Sequence, residues 1–198
     1  MVIKKTQKHI VIGSIFLGAA SFSMAETVNT TATVTVQNAF NLVEATPFTV
    51  GTIRATADPA GTETATVVIP ADGSAPTAAT SGAPAAVSVL TAGTPATYTV
   101  DSAAGFTSLT LTLPAAPINL TAAAAPPGTP KFTLGTFTGY ITSGPNNGTA
   151  YAAANLQTDA TGAVSFSVGA TLTTDAAAST SPYIDGDYTG TFPVIVIY

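Results

Sequence analysis

Tyr188-Thr189-Gly190-Thr191-Phe192-Pro193-Val194-Ile195-Val196-Ile197-Tyr198 closes the chain, and the alternation within it decides the class of fold. Successive side chains of a strand point to opposite sides. Phe192, Val194, Val196 and Tyr198 therefore share one face, and Ile195 and Ile197 share the other. A strand apolar on both faces is ordinarily covered on both. Pro193 has no N–H, so one side of this strand lacks a ladder bond there. The segment is thus expected to be an edge strand that needs a partner or a cover, with Phe192, Val194, Val196 and Tyr198 as its assembly face.

The same period of two recurs upstream. Between residues 31 and 40, Ala32, Val34, Val36 and Phe40 lie on one side and Thr31, Thr33, Thr35 and Gln37 on the other, which predicts a strand. Further strands are expected at 47–54, 63–69, 86–90, 96–100, 106–113, 131–141, 163–172 and 188–198. Turn chemistry separates them: Asp58-Pro59-Ala60-Gly61, Asp72-Gly73, Pro145-Asn146-Asn147-Gly148, Asp159-Ala160-Thr161-Gly162 and Asp185-Gly186. Residues 71–130 are rich in Ala, Pro, Thr and Gly and read as long loops within one domain, although 107–113 alternates cleanly. Residues 149–159 are the one stretch with the character of a short helix. About eight to ten short strands point to an all-β sandwich or barrel.

The N-terminus reads as an export signal. Lys4, Lys5 and Lys8 precede an apolar run from Ile10 to Ala20, and Ser23-Met24-Ala25 places small residues where a signal peptidase needs them. The apolar run is short of the roughly 20 residues that span a bilayer. No Cys follows it to carry a lipid. Residues 1–25 are therefore expected to be a signal peptide and 26–198 a single β-sandwich domain in the periplasm, at the cell surface or outside the cell, with no membrane insertion after cleavage. A small outer-membrane barrel is the competing architecture, but the Ala- and Pro-rich middle supplies too few strands of the required length of about 9–11 residues.

Cleavage changes the chemistry. His9 and three of the five cations leave with the signal, and Arg54 and Lys131 remain against ten carboxylates, a net charge near −8. Two isolated cations cannot displace counterions from a phosphate backbone, so nucleic acid is excluded as a partner. Without Cys or His, nucleophile–histidine arrangements and zinc, copper or haem ligation are excluded, and no disulfide is available. No phosphate-binding glycine loop is present. Asp185-Gly186-Asp187 is the closest carboxylate pair. It reads first as a turn, then as part of a calcium site that would need six or more oxygens, and last as a glycosidase pair. The expectation is a protein with no enzymatic activity and no cofactor. The six tyrosines, Tyr98, Tyr140, Tyr151, Tyr183, Tyr188 and Tyr198, are expected in the core or in cross-strand pairs, the other reading being a sugar-stacking platform.

The closing segment 185–198 resembles the G-x-Y-x-x-x-x-V-x-V-x-[YF] terminus of the spore coat protein U-like group, which includes the major pilins of archaic chaperone–usher pili. Phe48-Thr49-Val50-Gly51-Thr52-Ile53 is similar to the F-x-F-G-T-I/L strand near the start of those domains. A related family of exported Gram-negative proteins of unassigned function is closer still. It pairs that early strand with an Ala-Gly-Thr-x-Thr-like strand, here 60–68, and carries a Gly-x-x-x-Phe-x-Val-Gly-x-x-Leu strand, here 162–172. The archaic pilins usually carry cysteines, and this chain has none.

The resemblance implies an immunoglobulin-like sandwich, incomplete on its own, whose groove is filled by a strand donated by a partner. Partners would be another copy of the chain or a periplasmic chaperone and usher. Val28, Thr30, Ala32, Val34 and Val36 alternate suitably for a donor, the other reading being an ordinary first strand paired within its own domain. The expected function is a non-catalytic exported structural or surface protein, fimbrial in its most specific form. A self-contained glycan- or matrix-binding module is the alternative. N-terminal sequencing of the protein recovered from outside the cytoplasm should begin at Glu26, and recovery of the intact Met1 form from that fraction would overturn the export reading.

Overall fold

The computed structural model describes residues 26–35 and 39–198. Val36–Tyr198 forms one compact unit, and residues 26–35 belong to a separate one. The described residues contain no helix. Their strands are β1 (Asn41–Thr46), β2 (Thr49–Thr56), β3 (Ala65–Ile69), β4 (Thr77–Thr80), β5 (Ala86–Thr94), β6 (Ala96–Asp101), β7 (Ser108–Thr112), β8 (Ile118–Ala122), β9 (Phe132–Ile141), β10 (Thr149–Ala150), β11 (Leu156–Gln157), β12 (Val164–Thr173), β13 (Tyr188–Thr189) and β14 (Ile195–Ile197). The protein is all-β, as the period of two requires.

Nine strands make one sheet in the order β1-β6-β12-β9-β8-β13, with β3 and β4 joined through β12 and β10 joined to β9. A three-stranded sheet β11-β7-β14 and a ribbon β2-β5 complete the fold. Strand β12 organises the large sheet because both of its edges are paired along most of their length. Along one edge Val164–Val168 pairs with β6 and Ala170–Thr173 with β3, while the other edge pairs with β9. The change of partner falls at Gly169, where an added Cβ would lie 2.4 Å from both the Ile69 carbonyl oxygen and the Ala71 nitrogen. Only glycine lets two strands share one edge at so close an approach. The Ser167 hydroxyl donates to the Ala71 carbonyl and ties the same junction.

The chain builds a sandwich-like body with two apolar clusters, one on each half of β12. In the first, Tyr98, Val100, Val164, Phe166, Val168 and Ile141 of the large sheet meet Leu109, Leu111, Leu156 and Val196 of the three-stranded sheet. In the second, Val67, Ile69, Leu120, Phe132, Leu134 and Leu172 meet Val50, Ile53, Ala55, Val87 and Val89 of the ribbon. Phe48, Phe137 and Phe192 pack against both. Phe137 reaches them because β9 carries a bulge. Thr136 and Phe137 together face Ala170, and Thr136 adopts a left-handed φ of 49°. The extra residue switches the inward phase of β9 from Phe132 and Leu134 to Phe137, Gly139 and Ile141.

Turns follow the predicted Asp and Gly positions. Buried Asp58 accepts the backbone N–H of Ala60, Thr62 and Glu63 at 3.0, 2.8 and 3.0 Å and the Thr62 hydroxyl at 2.8 Å. The Ala60 bond foremost, and then the Thr62 bonds, hold its carboxyl at about 2 against the ordinary 3.8. Asp159 caps the turn into β12 in the same way, through Thr161 and Ala163.

Several expectations need correction. Residues 31–35, 39 and 40 form no strand, and the first strand begins at Asn41. Residues 71–130 hold β5, β6 and β7 where strands were expected, but also β4 and β8 where loops were, because Thr and Ala serve as strand residues when a ladder supports them. Residues 149–159 form turns and the two short strands β10 and β11, not a helix; Asn155 accepts the Ala152 N–H and donates to the Ala150 carbonyl there. The closing strand is broken in two: Tyr188–Thr189 pairs with β8 and Ile195–Ile197 with β7.

Phe166 is fully buried and stacks on Tyr98 at 5.3 Å. Phe166→Ala should lower the unfolding free energy by about 3–5 kcal/mol in a urea titration followed by tyrosine fluorescence, and Gly169→Ala should destabilise through its backbone collision. A loss under about 1 kcal/mol for Phe166→Ala would contradict this placement of the core.

Candidate functional site

One concavity is a groove of about 910 Å³. One wall is Phe48 followed by residues 49–55 of β2, and the other is residues 183–192; Tyr98, Leu120, Phe132 and Leu134 line its floor. Among the described residues β2 pairs only with β5, and β14 only with β7, so each has one edge without a strand partner. Unpaired ladder groups of this kind are templates for another strand.

An aromatic cluster positions the second wall. Tyr183 stacks on Phe132 with ring centroids 4.2 Å apart, and Tyr188 meets Phe132 edge-on at 5.0 Å. The Tyr183 hydroxyl accepts the Asp175 N–H at 2.8 Å, and the Tyr188 hydroxyl accepts the Ile184 N–H at 3.1 Å. Asp175 in turn accepts the N–H groups of Lys131 and Ala177. The loop from Asp175 to Tyr188 is thereby pinned to the start of β9.

The groove's charged residues are Glu44, Arg54, Asp185 and Asp187. Asp185 and Asp187 are exposed around Gly186, whose φ is 133°. Among the described residues no three His, Cys, Asp or Glu side chains come together as metal ligands. Tyr98 sits opposite Glu44 in the β1–β6 ladder, with its hydroxyl 3.5 Å from the carboxylate.

Of the predicted site residues, Phe192 and Val194 are half-buried and Val196 is buried against the first cluster. Tyr198 is 44% exposed and touches Phe40. The opposite face is uncovered, with Ile195 and Ile197 about half exposed. Val28, Thr30, Ala32 and Val34 lie in a stretch without regular secondary structure, with Val28 83% and Val34 84% exposed; Val36 lies outside the described residues. Sequence reasoning missed Phe48 as a partner of Phe192, and the aromatic hinge of Phe132, Tyr183 and Tyr188. The tyrosines form no shared exposed platform: Tyr98 is buried, and Tyr140, Tyr151, Tyr183 and Tyr188 are half-buried. No helix among the described residues is long and apolar enough to cross a membrane.

A family model described as a domain of unknown function, DUF4402, matches residues 55–198. The chain belongs to the DUF4402 family. No curated protein and no solved structure matches it. The matched part of the DUF4402 chain holds the wall 183–192, the floor and both apolar clusters, while the match begins at the end of β2.

Burial first, and the Glu44 charge second, raise the Tyr98 hydroxyl to about 12 from 10. Burial likewise raises Tyr183 to about 12. In the unfolded chain both would ionise near 10, so unfolding releases protons between these values. Stability contributed by the two rings should be intact below pH 10 and fall as pH rises from 10 to 12. Absorbance titration at the tyrosinate band, with thermal unfolding at each pH, checks this. Full ionisation of all tyrosines near pH 10 without unfolding would contradict it.

Proposed function

We propose that this DUF4402 protein is a non-catalytic structural subunit of an exported assembly, joined to its neighbour by strand exchange. Residues 26–36 of one copy, led by Val28, Thr30, Ala32, Val34 and Val36, insert into the groove of the next. The observation that carries this reading is the groove itself, an open channel with a floor of Tyr98, Leu120, Phe132 and Leu134, bounded by the unpaired edge of β2.

Dimensions support it. At about 3.3 Å per residue, the eight residues of β2 offer a wall of about 26 Å. Residues 26–35 would extend over about 33 Å, and on one side of that stretch lie Val28, Thr30, Ala32 and Val34, three apolar side chains and one threonine. Backbone bonds along the edge supply affinity, and alternate side chains entering the groove supply register. The likeness of 48–53 and 185–198 to the pilin-type motifs agrees with an incomplete immunoglobulin-like sandwich. A chaperone that holds the groove before assembly is the second partner of that scheme.

The test uses the exported chain carrying Val28→Asp together with Val34→Asp, both at exposed positions. Light scattering after size exclusion should show oligomers for the wild type and monomers for the double variant, with the Val36–Tyr198 body folded in both and melting lower in the double variant. Equal assembly by both forms, or a wild type that stays monomeric at high concentration, would overturn the proposal.

A further inference from the structure

Two aromatic contacts bridge the segments that flank the groove. Phe40 meets Tyr198 edge-on at 5.3 Å, and Phe48 meets Phe192 edge-on at 6.1 Å. As numbers rise along the first segment they fall along the second, so the chain around β1 and the start of β2 runs antiparallel to the closing segment. Side by side in this way, two segments ordinarily form a ladder. Among the described residues no strand pairing joins them: β1 pairs with β6, β2 with β5, β13 with β8 and β14 with β7. Contact between them is made by rings, and the groove opens beyond Phe48 and Phe192, between β2 and residues 183–191.

We infer that these ring pairs are a latch that closes one half of the strand-accepting cleft, so that an incoming strand engages first at the open half between β2 and residues 183–191 and then parts the rings. The inference rests on the strand-exchange reading and adds to it a direction of insertion and a control on its rate. Its outer pair is the weaker. Tyr198 is 44% exposed, and its hydroxyl accepts the Ala104 N–H at a long 3.4 Å. The inner pair is backed by Phe137, whose ring lies 4.8 Å from Phe192. An edge-to-face pair is a modest interaction that a ladder of backbone bonds can replace. The latch therefore holds the cleft closed without competing with the final state.

The experiment measures uptake of a fluorescent peptide of residues 26–36 by the Val28→Asp, Val34→Asp chain with its wild-type rings, whose own segment does not compete for the groove, and by that chain with Phe40→Ala or Tyr198→Ala added. Loss of one ring pair should speed association by about three- to tenfold. Amide exchange in Ile195–Ile197 should quicken in the same variants while β12 stays protected, which reports the latch without any peptide. Uptake at the same rate with and without the ring substitutions, with exchange unchanged, would sink the latch and leave strand exchange standing. No uptake by any form would sink both.

Discussion

Two paired ladder edges on β12 are the constraint from which the rest of the structure follows. A strand paired on both sides along most of its length cannot slip by one residue without turning Val164, Phe166, Val168, Ala170 and Leu172 to the opposite face. With that register fixed, β6 and β3 must share one edge, and the space for their junction exists only because residue 169 has no side chain. The β9 bulge at Thr136 then bends the opposite edge, and the inward residues divide into two clusters rather than one. Each cluster needs its own cover. The three-stranded sheet covers one and the β2–β5 ribbon covers the other.

That division explains why the molecule has an open groove. The two covers are separate pieces, and the residues that span both clusters are three phenylalanines, Phe48, Phe137 and Phe192. Side chains can fill the interior between two covers, but they cannot satisfy the backbone edges of β2 and β14. Of the two, β2 is the open edge, since it is eight residues long, while β14 is shortened to three. β14 has no charged residue, and β2 has only Arg54. Pro193 blunts a single position just before β14.

Much of the fold was legible where one residue in two was apolar and a ladder held that phase. The strands read at 96–100, 131–141 and 163–172 lie within two residues of those observed, whereas Phe192, Val194 and Val196, read as part of an assembly strand, pack against the first cluster. Legibility failed for three physical reasons. Strands such as Thr77–Thr80 and Ile118–Ala122 have few large apolar residues, and their pairing comes from β3 and β9 rather than from their own propensity. The alternation at 31–35 was real but found no ladder, because a pattern specifies which face would be buried and not whether a neighbour exists. The closing segment was read as one strand although it serves two sheets, and the crossing at Gly190 is set by Asn119, whose carbonyl oxygen would lie 2.7 Å from an added Cβ. The groove walls at 48–55 and 183–192 were legible only in part, since what defines them is a missing neighbour.

An unfilled edge matters more in this chain than it would in a disulfide-bonded one. With no Cys, nothing covalent ties the ribbon to the three-stranded sheet, and residues 26–198 hold two cations against ten carboxylates, which leaves little scope for ion pairing there. Cohesion rests on burial and on backbone hydrogen bonds, each worth about 1 kcal/mol net. A strand laid along β2 would add several such bonds at once and would carry alternate side chains onto Leu120, Phe132 and Leu134 in the groove floor. On the strand-exchange reading, assembly and completion of the fold are then one process. The charge balance points the same way, because a strongly acidic subunit repels its copies everywhere except along an uncharged contact, and the stretch from Thr27 to Val36 carries no charge at all.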